Sequence, residues 1–184
     1  MEFDSTPEQK AQFADDGGLL ANANQTRGYF VVGTTKFIVM SLCTLSIYEL
    51  YWIYKNWKYI KAREQSKIMP FWRAFFAGLW NFSLAQKIKD HGQEVSVNAE
   101  FNPSAIGAAY IGISILSRLP APFFLLSFLS FLPLLTLQTT ASRINQVQEA
   151  NGNEYYKFTT GNYVVMFFGG LILFLAVLGS FIPE

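Results

Sequence analysis

Few residues in this chain carry groups that could do chemistry, and they are scattered. His91 is the only histidine and Cys43 the only cysteine. An imidazole-and-thiolate metal centre or an internal disulfide needs more than one such residue. His91 sits in "KDHGQ" and reads as a solvated loop residue, while Cys43 lies in an apolar run and reads as a small buried hydrophobe. No glycine-rich phosphate loop, G-x-S-x-G elbow or paired-cysteine motif occurs. No catalytic, cofactor-binding or metal-ligating residue is assigned, no cofactor is expected, and the expectation is a protein that is not an enzyme.

Four polar residues in apolar surroundings remain as candidates: Glu49, Arg73, Asn81 and Arg118. A carboxyl inside a lipid-facing run is costly, and such residues are functional candidates by default. Glu49 precedes Trp57 by eight residues, about 12 Å along a helix, which sets it below the membrane interface. Trp52 and Ile53 occupy its i+3 and i+4 positions, so its counter-charge must come from another element, and Arg73 is the expected partner. Asn81 shares a small-residue helix face with Arg73. Arg118 is the lone base of a short loop.

The elements that must position these groups are helices in a membrane. Only 15% of the 184 residues are charged and 51% are apolar, whereas a soluble domain carries about 25% charged residues. The net charge of +1 gives no overall field toward nucleic acid. Residues 1–28 read as a disordered polar tail, with no apolar h-region of a secretory signal. Residues 29–184 read as a single membrane domain. Within it, "YFVVGTTK" (29–36) is expected to lie at the membrane surface.

Residues 37–56 are long enough to span about 30 Å of hydrocarbon. Tyr48, Tyr51, Trp52, Tyr54 and Trp57 crowd the end of this segment as an expected interfacial aromatic belt. Residues 70–90 begin with Pro at a plausible first helical position. They form an amphipathic pattern, with Phe71, Trp72, Phe75, Phe76, Leu79 and Phe82 on one face and Arg73, Ala74, Ala77, Gly78, Asn81 and Ala85 on the other. The expectation is an interfacial helix with its rings toward lipid. A third helix, 103–118, carries Ser104, Ala108 and Gly112 at a spacing suited to close helix packing. Residues 123–150 read as a helix kinked at Pro133 and stopping near Gly152, and 162–182 as an uncharged span.

Eight of the fourteen Lys and Arg residues fall between 55 and 89. The positive-inside rule therefore puts 55–102 and 143–161 in the cytoplasm, with 117–122 and the C-terminus outside. A full crossing by 37–56 leaves the N-terminal tail outside. A re-entrant path turning at "CTLS" (43–46) keeps the tail inside, with Arg118 alone among the bases outside. The full crossing is taken first and the re-entrant path as its alternative. The fold class is all-α: a polytopic membrane protein with three or four spans and one amphipathic interfacial helix.

"TLSIYELYWIYKNW" (44–57) resembles the T-x-G-x-Y-x-x-Y-W pattern of a family of small bacterial inner-membrane proteins of unknown function. "PFWRAFFAGLW" (70–80) and "RLPAPFFLLSFLSFLPLL" (118–135) look like recurring segments of the same family. Ser46 stands where the pattern has Gly, and a Gly would favour a turn. The resemblance implies a multi-pass location in a bacterial inner membrane and supplies no activity. The function expected is a non-enzymatic membrane interaction or scaffold protein. Its partners would be the bilayer and either further copies of the chain or another membrane protein. The alternative is an oligomeric permeation component, with Glu49 and Arg73 near a polar path.

Overall fold

The computed structural model describes residues 28–120, 123–148 and 158–180. The expectations for the tail and for a helix stop at Gly152 lie outside these residues. Among the described residues the protein is all-helical, with no strands. The helices are α1 (Thr34–Cys43), α2 (Ile47–Glu64), α3 (Pro70–Phe75), α4 (Ala77–Glu94), α5 (Pro103–Ile115), α6 (Phe131–Val147) and α7 (Thr160–Ser180). A 3-10 turn, Leu116–Arg118, prolongs α5, and a 3-10 helix, Phe123–Ser130, leads into α6. Among the described residues, two stretches are long and apolar enough to cross a membrane, Leu125–Val147 and Thr160–Gly179.

Segment 37–56 is broken. Leu45 and Ser46 take left-handed conformations, with φ of 51° and 69°, and the chain reverses there. Thr44 joins the two sides of the break. Its hydroxyl donates to the Met40 carbonyl at 2.7 Å, and its Oγ1 accepts from the Tyr48 N–H at 2.9 Å. This serves one carbonyl at the end of α1 and one orphan amide at the start of α2. The path back is antiparallel: Phe37 packs on Trp52 and Tyr48, with ring centroids 5.6 and 6.2 Å apart, and Phe30 pairs with Asn56.

Residues 29–32 pack inside the bundle. Tyr29, Phe30, Val31 and Val32 are 1–2% exposed. Buried amides from two helices satisfy this extended backbone, because a buried peptide group needs a partner wherever no ladder supplies one. Asn145 exchanges two bonds with Tyr29, both 2.8 Å. Asn56 does the same with Phe30, at 3.1 and 3.2 Å. Gln138 donates to the Val32 carbonyl and accepts from Trp52 Nε1.

Trp52 and Trp57 are likewise core residues, fully buried, and not part of an interfacial belt. They belong to the inward stripe Glu49, Trp52, Ile53, Asn56, Trp57, Ile60 of α2. The belt expectation took ring chemistry without helix phase. Of its members, Tyr51 is exposed and Tyr48 and Tyr54 are half-buried.

Segment 70–90 also bends, at Phe76. Helix α3 runs antiparallel to α2: Met69 to Trp72 lie beside Lys58 and Lys61, and Ala74 and Phe75 beside Ile47 and Leu50. Helix α4 then runs parallel to α2, ending with Lys87 2.6 Å from Glu64 and His91 2.8 Å from Arg63. The segment is therefore a second hairpin. The faces are arranged largely as the sequence suggests. Phe71, Trp72, Phe75, Phe76 and Leu79 are exposed, and Ala74, Ala77, Asn81 and Ala85 are buried. Phe82 departs from its face and covers Gly107, where a Cβ would come within 2.5 Å of the ring. The stripe Ser104, Ala108, Gly112 packs against nothing described: all three are exposed, and space around Gly112 is open. Helix α5 meets α4 through Gly107 instead.

Helix α7 fixes the depth of the first hairpin. With its amide turned so that the oxygen faces donors, Asn162 accepts from Lys36 Nζ at 3.0 Å. Gly169 lies so close to the carbonyl of Cys43 that a Cβ would fall 1.7 Å from its oxygen. Both pairs are 126 positions apart, so α1 and α7 run parallel and in register. Gly169 is the tenth residue of the 21 in α7. The tip of the first hairpin therefore lies level with the middle of the longest apolar helix.

Candidate functional site

The tips of both hairpins, the centre of α5 and the start of α6 meet at this middle level, and Glu49 is there. Its side chain is fully buried. Ser130 Oγ lies 2.9 Å from each carboxyl oxygen, and Ser46 Oγ lies 3.0 Å from Ser130 Oγ. Ser46 and Tyr110 are also hydrogen-bond partners of the carboxyl. Three hydroxyls from three elements thus hold one carboxyl group, and no cation is among its partners.

The expected Glu49–Arg73 pair does not form. Arg73 lies between two indoles, its guanidinium carbon 4.3 Å from the ring centroids of both Trp57 and Trp80. Its charge is stabilised by ring quadrupoles, which suit a weakly hydrated planar cation. The ion pair found among the described residues is Lys87–Glu64. Asn81 is fully buried, and neither polar atom of its amide has a partner among the described residues.

Arg118 is exposed at the opposite end of the bundle from the basic helix ends. It borders a recess of about 570 Å³ beneath the hairpin tips, lined in part by Leu50, Phe75, Gly78 and Tyr110. The recess exists because both hairpins turn back level with the middle of α7 while α5 continues past them. Tyr110 forms part of its wall and hydrogen-bonds Glu49 behind it. Tyr110 thus bonds Glu49 and shares the lining of the recess with Arg118, while Arg73 is held elsewhere.

His91 is not a solvated loop residue. It is 7% exposed on α4, in a cluster at the basic end of the bundle. Arg63 donates to its Nδ1 at 2.8 Å and to the Tyr29 hydroxyl at 2.9 Å. Arginine cannot accept, so the ring hydrogen resides on Nε2, 3.0 Å from the Gln148 amide. Turning that amide gives Nε2–H an acceptor in Gln148 Oε1, which otherwise has no donor among the described residues. Burial and the neighbouring guanidinium hold the His91 pKa down at about 4, and burial pushes the Tyr29 phenol up to about 12. Both groups are therefore neutral near pH 7.

The sequence reading missed Ser46, Tyr110 and Ser130, which surround Glu49, and the amides Asn56, Gln138 and Asn145. A signal for the amides was present, because they interrupt apolar helix stripes. Gln138 and Asn145 share a face with Leu134, Leu137, Ala141 and Ile144, all buried. Among the described residues no three His, Cys, Asp or Glu side chains converge to hold a metal ion. Compared with protein-family models, curated proteins and solved structures, the chain matches none.

Proposed function

We propose that this chain is a small multi-pass protein of a bacterial inner membrane that works by binding, as a non-enzymatic interaction or scaffold protein. On this reading it belongs with the small membrane proteins that its "TLSIYELYW" segment resembles. The observation that carries the reading is the shared register of α1 and α7, which brings the Cys43–Ser46 turn level with Gly169. Helix α1 is about 15 Å long, half the hydrocarbon thickness of about 30 Å. The first segment then enters and leaves on the cytoplasmic side, and the second hairpin dips beside it. Irregular backbone at mid-depth is tolerated where protein covers it, and Ser130, Tyr110 and α7 supply that cover. Residues 28–33, 55–70, 89–102, 145–148 and 158–160 lie on the cytoplasmic side; 117–120 and the end of α7 lie on the other. The described bases then obey the positive-inside rule with Arg118 as the exception.

A second reading, an oligomeric permeation component, is favoured by one observation: the Asn81 amide, unpartnered among the described residues, in a bundle that also holds a recess reaching Tyr110. Reconstituted vesicles separate the two. The binding reading expects vesicles containing only this chain to leak ions and small solutes no faster than empty ones. A saturable flux abolished by Glu49→Gln or Asn81→Leu would overturn it.

A further inference from the structure

The geometry points to a site for one anionic phospholipid of the cytoplasmic leaflet, in the groove between α2 and α3. The mouth of the groove is a cavity of about 810 Å³ lined by Lys58, Lys61, Tyr54, Gln65, Met69 and Trp72, among others, with no acidic side chain. Lys58 and Lys61 are one helical turn apart and exposed, and neither has an ion-pair partner among the described residues. Below the mouth a second cavity, of about 280 Å³, continues between the same two helices. It shares Tyr54 and Phe71 with the first and is otherwise apolar, ending at Ile47 and Phe75.

Charge and depth both match a lipid. Two unpaired ammonium groups at the interface suit a phosphate with a net negative headgroup, and the exposed Trp72 has the amphipathic ring of an interfacial anchor. From Lys58 to Ile47 is eleven residues along α2, about 16 Å, close to the half-thickness that one acyl chain fills. The groove exists because α3 turns back at Phe76 without crossing. A soluble anion would use the lysines and leave the apolar half empty; a phospholipid fills both.

The inference rests on the membrane placement proposed above. The full chain is purified in neutral detergent micelles and titrated with palmitoyl-oleoyl phosphatidylglycerol or the matching phosphatidylcholine. Native mass spectrometry counts the bound lipids. Each lysine near the surface contributes a factor of about five, so one phosphatidylglycerol is expected to bind about 25-fold more tightly than phosphatidylcholine. Lys58→Gln with Lys61→Gln should bring the two lipids within about twofold. Lys55→Gln with Lys67→Gln, which changes the same basic run outside the groove lining, should keep most of the preference. Ile47→Trp, at an exposed position, should weaken the long-chain lipid several-fold and leave dihexanoyl phosphatidylglycerol unaffected. Equal binding of the two headgroups, an equal loss in both lysine pairs, or an unchanged long-chain affinity in Ile47→Trp would each overturn the site. Alkaline carbonate extraction of the same membranes tests the placement separately: a chain that stays in the pellet yet shows no headgroup preference refutes the groove alone.

Discussion

Replacing Asn145 by Leu tests the device that holds the extended segment inside the helical bundle. Asn145 gives Tyr29 both an acceptor and a donor at 2.8 Å, across 116 residues of sequence, and both residues are buried. Leu has nearly the same volume, so the cavity term is small, but it leaves the Tyr29 N–H and C=O without these bonds. A buried backbone group so stranded costs about 1–3 kcal/mol. Two of them, offset in part by the apolar side chain, cost about 3 kcal/mol. For a chain of this size that lowers the Tm by about 6–12 °C. Thermal unfolding in detergent followed by near-ultraviolet circular dichroism measures the shift, and amide exchange at Tyr29 reports its local cause. Asn98→Leu is the control: Asn98 is exposed and bonded only to Glu100, so it should stay within about 0.5 kcal/mol of wild type. A Tm for Asn145→Leu within 2 °C of wild type, with the Tyr29 amide still protected, would mean that Asn145 does not hold the segment.

Two adjacent glycines should behave oppositely. Gly169→Ala drives a methyl against the Cys43 carbonyl, where no side chain can give way, and should detach or displace α7; Gly170→Ala meets nothing within 4 Å and should stabilise by up to about 1 kcal/mol through helix propensity. Thermal unfolding of the two variants checks both. Glu49→Ala and Arg73→Ala should each destabilise in detergent and add within about 0.5 kcal/mol, because their partners are separate; strong coupling in the double mutant would restore a pair between them. His91 contributes a pH dependence. Its folded pKa of about 4 lies below the ordinary 6.5, so the unfolded chain takes up the proton first. The contribution is complete above about pH 6.5 and is lost as pH falls toward 4, by at most about 3 kcal/mol. His91→Gln should flatten that part of the stability profile relative to wild type.

Elements set by local pattern were legible in the sequence. The uncharged run of α7, the Pro103 helix start with Asn102 accepting from Ser104 N at 2.9 Å, and the small face of 70–90 follow from periodicity and capping. Groups whose partners are remote were not. Glu49 meets Ser130, 81 positions on, and no local rule pairs a carboxyl with three hydroxyls ahead of the only nearby-seeming cation. Arg73 settles between indoles because Trp57 faces inward, and that depends on the phase of α2, which the aromatic-belt reading ignored. The burial of residues 29–32 was not legible because the amides that cover their backbone lie up to 116 positions away. The spacing of Ser104, Ala108 and Gly112 suited packing, but Gly107, one position off that stripe, took the contact with Phe82.

On the proposed placement, the first segment dips to half depth and returns. The direct measurement is the side of the N-terminal tail. Cys43 is replaced by Ser, a single cysteine is placed at Ser5, and intact cells are treated with an impermeant thiol reagent. A parallel chain carries the cysteine at Ser117. The expected result is protection at Ser5 until the cells are lysed and labelling at Ser117 without lysis. Labelling at Ser5 in intact cells would mean that 37–56 crosses the bilayer completely, and would contradict the account.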